Sequence, residues 1–143
     1  MRILFFAIIG AAIGLAAINL MAYLARNRNN PFDRREFSGG AEALAKIDAW
    51  AAANGYTRQP DVEGRRVYRK GINVLTSPMF LEVETLGERI ATRSFVRIDG
   101  LILKGDLALA ADGPMAKLPR ANAQKAHEAL FAQLGAPSPA LLP

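Results

Sequence analysis

The chain has 143 residues, 51% of them apolar, with no cysteine and one histidine. That length fits one ordinary domain, and the missing thiols exclude disulfide staples, thiolate nucleophiles and cysteine-based zinc sites. The net charge of +5 is unevenly placed: up to residue 37, five arginines oppose Asp33 and Glu36, whereas beyond it 13 basic side chains meet 11 acidic ones. A nucleic-acid binder concentrates positive charge on its folded face, so the near-neutral remainder argues against a nucleic-acid partner.

From Ile3 to Ala25 there is no charge, and Asn19 is the one strongly polar side chain. As a helix this run reaches about 34 Å, enough to cross a hydrocarbon core of about 30 Å. A signal-peptide core is shorter, about 7–15 residues, and ends at a small-x-small site. Here a cut after Ala25 places bulky Tyr23 three positions back. Residues 1–25 are therefore expected to be a retained, single-pass anchor in the cell (inner) membrane. Arg26, Arg28, Arg34 and Arg35 follow the span, against Arg2 and the amino terminus before it. The positive-inside rule then puts the rest of the chain in the cytoplasm.

Within the span, Gly10 and Gly14 form a GxxxG match, which lets two helix backbones approach closely. With Asn19 able to donate a hydrogen bond across such a pair, these residues outline a candidate seam for a homodimer. An alanine-rich anchor also yields small-xxx-small spacing by composition alone. Residues 26–37, "RNRNNPFDRREF", read as a basic stalk. Its four arginines either fix topology or touch anionic headgroups at about 1 kcal/mol each.

The folded part is expected over 38–135. Ser38 is a plausible N-cap, and "AEALAKIDAWAAANG" carries Leu44, Ile47 and Ala51 on one stripe beside Trp50, with Gly55 suited to the C′ position. "TRQPDVEG" is turn-rich. "RRVYRK" has the charged character of an edge strand, and "INVLT" continues or restarts it. "MFLEVETLGERIATRSFVRI" predicts a hairpin around Gly87, with Met79, Leu81 and Val83 sharing a face with Ile90, Val96 and Ile98. "LILKGDLALA", "ADGP" and "MAKLP" supply two or three further strands. A last helix runs from Pro119 or Arg120 to Gly135, and residues 136–143 form a proline-rich tail. The fold class is α+β: a transmembrane helix, then a two-layer domain with an antiparallel sheet of 4–6 strands and one helix at each end.

No constellation for chemistry stands out. His127 reads as a helix-surface histidine; a hydrolytic site would pair it with Ser77 or Ser94, but neither lies in a nucleophile elbow. Glu82 and Glu84 share a strand face where arginines lower carboxylate pKa values, the wrong direction for a general acid. Gly39-Gly40 before a helix lacks the lysine and spacing of a phosphate-binding loop. The expectation is no catalytic residue, cofactor or metal. The function expected is a non-enzymatic interaction or accessory module at the cytoplasmic membrane surface, binding a protein partner or membrane complex. The alternative is a domain binding anionic lipid headgroups or a small ligand there.

Overall fold

A computed structural model of the chain describes residues 2–72, 77–111 and 117–136. Most of "INVLT", most of "ADGP" and all of the proline-rich tail but Ala136 lie outside the described residues. The elements run α1 (Arg2–Arg26), β1 (Asp33–Ser38), α2 (Ala41–Ala53), β2 (Thr57–Val62), β3 (Arg65–Lys70), β4 (Met79–Leu86), β5 (Arg89–Asp99), β6 (Lys104–Ala108) and α3 (Lys117–Gln133). This is the expected α+β class, with six antiparallel strands.

β5 organises the sheet. Ile90, Thr92, Phe95, Val96 and Ile98 favour extended backbone along its 11 residues. β4 pairs along one side through the predicted hairpin, Leu86 opposite Arg89. Gly87 has φ 65°, the positive value that a tight hairpin turn requires at its first central position. On the other side β1 pairs with Arg89–Ser94 and β6 with Phe95–Asp99, so the two lie end to end. β3 and then β2 complete the sheet beyond β4.

Alternation sends Leu81, Val83, Ile90, Val96 and Ile98 to one face, all buried. That face packs on Ile47 and Trp50 of α2 and on Leu130 and Phe131 of α3. Each such side chain contributes about 1.5–3 kcal/mol on burial. The last two turns of α1 reach the same face farther along, where Ala22 and Ala25 bury against Ile98 and Leu107. The rest of α1 stands free. It is long and apolar enough to cross a membrane, with mean hydropathy 2.5, as a membrane span or a signal sequence would be.

Four local expectations are corrected. Residues 33–37 of the expected stalk belong to β1, where Arg35 and Phe37 turn inward and Arg34 and Glu36 outward. The stretch looked like a stalk because its inward residues include an arginine. Ser38 ends that strand and caps nothing; Gly40 is the N-cap of α2, with no side-chain hydrogen bond. At Gly39 a Cβ would lie 2.7 Å from that of Ala43, so the close approach excludes a larger residue. "RRVYRK" is an inner strand. β2, built from the turn-rich stretch, takes the edge, where Pro60 is tolerated because it needs no ladder partner. Of the strands expected after Gly100, the described residues show β6 alone, and Lys117 already belongs to α3.

Candidate functional site

The apolar helix α1 and the domain meet at Gly105. A Cβ there would stand 2.2 Å from the Ala22 carbonyl oxygen and 2.8 Å from the Arg26 nitrogen. Only glycine lets the helix backbone lie this close to the strand. One turn back, Asn19 Oδ1 accepts from the backbone N–H groups of Ile102 at 2.9 Å and Leu103 at 3.2 Å. Its Nδ2 donates to the Leu15 carbonyl at 2.8 Å. Beside this joint is a hollow of about 400 Å³ lined by Arg26, Pro31, Phe32, Arg97, Lys104 and Asp106. Arg97 is committed to Asp106 through two hydrogen bonds of 2.7 and 3.1 Å. Arg26 and Lys104 are exposed.

Under α3 lies a polar cluster sealed from solvent. His127 Nδ1 is 2.8 Å from Ser94 Oγ, and its Nε2 is 2.8 Å from the Tyr56 hydroxyl. A neutral imidazole has one donor and one acceptor, and hydroxyls adapt to either. Burial, and secondarily the Arg35 charge, pushes His127 down to about 3. Burial also raises the Tyr56 phenol pKa. The expected surface histidine is thus a core residue, 2% exposed. Chain folding brings Ser94 to it, but its other nitrogen meets a phenol in place of a carboxylate, and Ser94 is 1% exposed. The arrangement pins β5, α3 and the start of β2 together. Trp50 adds a bond from Nε1 to the Ala126 carbonyl at 3.2 Å.

The sheet face away from the helices is open. Phe80 and Phe95 stack there at 5.1 Å, with Phe32 edge-on to Phe95 at 5.0 Å. Arginines cover the rings, Arg97 lying 4.7 Å from the Phe80 centroid. Glu82 pairs with Arg65 at 3.0 Å, and Glu36 with Arg89 at 2.8 Å. Arg34 and Arg93 stand directly opposite each other in register. Both lie against Phe32, at 5.9 and 5.7 Å. Among the described residues neither has a carboxylate within 4.0 Å. They border a hollow of about 130 Å³ shared with Glu36, Arg65, Glu82 and Glu84.

The residues singled out from sequence are therefore scattered. Gly10 and Gly14 have nothing within 4 Å of a Cβ placed on them, so the strip is open. Asn19 is engaged within its own chain, through Oδ1 to the β5–β6 tip and through one Nδ2 hydrogen to Leu15. Arg26 and Arg28 are exposed near the joint, and Arg34 faces the open sheet. Arg35 is not a lipid contact: it is buried, bonds Glu128 and lies over the Phe131 ring at 4.3 Å. Burial alternates along "DRREFS" and separates Arg34 from Arg35, but the residue types do not alternate, and Phe37 alone marks the inward face. Among the described residues no group of three or more His, Asp or Glu is placed to hold a metal. Comparison with protein-family models, curated proteins and solved structures finds no match to this chain.

Proposed function

We propose that the protein is a membrane-anchored interaction module, held by α1 with its domain on the cytoplasmic side, that binds a protein partner through the open sheet face. The Arg34–Arg93 pair carries this reading. Like charges directly opposite on a sheet are destabilising, and these two are held side by side over Phe32, while Glu82, opposite Arg93 on β4, is engaged by Arg65. An acidic segment on a partner would relieve that repulsion and supply charge-assisted hydrogen bonds. The docked end of α1 supports the reading by fixing how this face stands relative to the bilayer. The test is photo-crosslinking in membranes from position 91, which lines the same hollow and leaves both arginines in place, with position 42 on the exposed side of α2 as control. Discrete protein adducts from 91 alone, lost in the Arg34→Glu variant, are expected; equal labelling from both positions would sink the proposal.

A second reading draws on the hollow beside Arg26 and Lys104, whose two exposed cations suit an anionic lipid headgroup. Crosslinks to lipid from position 104, with no protein adducts from 91, would favour it.

A further inference from the structure

The tip between β5 and β6 presents Leu101 and Ile102 to the outside, 69% and 83% exposed. Two adjacent large apolar side chains at a hairpin tip would sit poorly in water. Their position explains them. Asn19 ties the tip to α1, and a Cβ on Gly100 would lie 2.7 Å from Asn19 Oδ1, so the tip is pressed against the helix. Ala22 abuts Gly105 while Asn19 meets Leu103, so α1 and β6 run in the same direction. All of α1 before Asn19 therefore projects beyond the tip.

The free part, Ile3–Ile18, reaches only about 24 Å at 1.5 Å per residue, short of a hydrocarbon core of about 30 Å. The deficit is made up if the boundary lies past Asn19. There Leu20, Tyr23 and Leu24 are still exposed at 58%, 51% and 49%, and Tyr23 suits the interface. Arg26 and Lys104 follow on the domain side, where cations reach headgroups. A boundary at that depth immerses the tip.

Resting on the anchor reading above, we infer that the β5–β6 tip is a second membrane contact, with Leu101 and Ile102 inserted into the bilayer beside α1. An unsatisfied backbone polar group costs several kcal/mol away from water, so a tip at the bilayer boundary needs internal partners for its N–H groups. Asn19 is that partner for the N–H groups of Ile102 and Leu103, and the Gly100 N–H donates to the Leu103 carbonyl at 2.7 Å. The lone polar residue of the span thus caps a loop that enters lipid.

Because the chain has no cysteine, single spin labels can be placed cleanly. The full chain carrying Ile102→Cys, Leu15→Cys or Leu86→Cys is reconstituted in vesicles of phosphatidylethanolamine and phosphatidylglycerol. Each label's collisions with oxygen and with a water-soluble nickel chelate are compared. Leu86, at the far end of the sheet, reports water, and Leu15 reports the span. The expected result is an oxygen-to-nickel ratio at 102 several-fold above that at 86 and approaching that at 15. A lipid-like ratio at 15 with a water-like ratio at 102 overturns the inference and leaves the anchor standing. A water-like ratio at 15 overturns both. Shielding of 102 from both reagents means protein contact with a second copy and also overturns the inference.

Discussion

At the scale of single residues, His127 has the clearest measurable consequence. Its imidazole is held down to about 3 by burial and the nearby Arg35 charge, against an ordinary value of 6.5. Between those values the unfolded chain binds the proton and the folded one does not. Stability therefore falls as pH is lowered through about 6.5 and levels off below about 3, with a slope of up to about 1.4 kcal/mol per pH unit for one site. Urea unfolding followed by Trp50 fluorescence should show this decline between pH 6.5 and 5, above most carboxylate titration. As the chain has one histidine, His127→Gln should flatten the slope in that window. An unchanged slope would assign it to other groups. Its spacing from Ala123, Leu130 and Phe131 puts His127 at the apolar stripe of α3, but nothing near it announces the partners that make burial tolerable, because Ser94 and Tyr56 lie 33 and 71 positions away.

At the scale of elements, the joint between α1 and β6 depends on a missing side chain. Gly105→Val places a branched group where the Ala22 carbonyl now lies, so the helix end must leave the sheet. Overpacking of this kind costs about 1–3 kcal/mol. In detergent the variant should show faster trypsin cleavage after Arg26 and Arg28 and a lower unfolding midpoint. Gly10→Val, where nothing lies within 4 Å, should change neither. Equal behaviour of the two variants would mean that α1 is a tether and not part of the domain. The period-two pattern of β4 and β5 was legible because one face of each is buried and the other carries charge. β1 was less so: its inward Arg35 is satisfied by Glu128 and Phe131, residues of a helix near the other end of the chain.

For the whole molecule, the docked helix end sets where the domain begins. A chain starting at Asn19 keeps Ala22 and Ala25 over Ile98 and Leu107. A chain starting at Asn27 uncovers them and should lose about 2–4 kcal/mol, the burial of one or two apolar side chains. A chain starting at Ser38 also lacks β1 and the buried Phe37, and should fail to fold. Urea midpoints of the three distinguish these outcomes. Equal midpoints for the first two would show that the helix end adds nothing. Removal of residues 1–25 would likewise strip Ala22 and Ala25 from Ile98 and Leu107.

The sequence by itself determined the apolar segment, the α+β class, the Gly87 hairpin with its inward and outward faces, and both domain helices. All of these rest on local periodicity and local turn chemistry, which a linear chain displays. The tertiary structure decided what lies between distant positions. It paired β1 with β5, gave the edge to β2, buried Arg35 and His127, and brought Asn19 to the β5–β6 tip as a cap. Such outcomes depend on partners dozens of residues away, since a buried polar group is tolerated only where folding brings its hydrogen bonds to it.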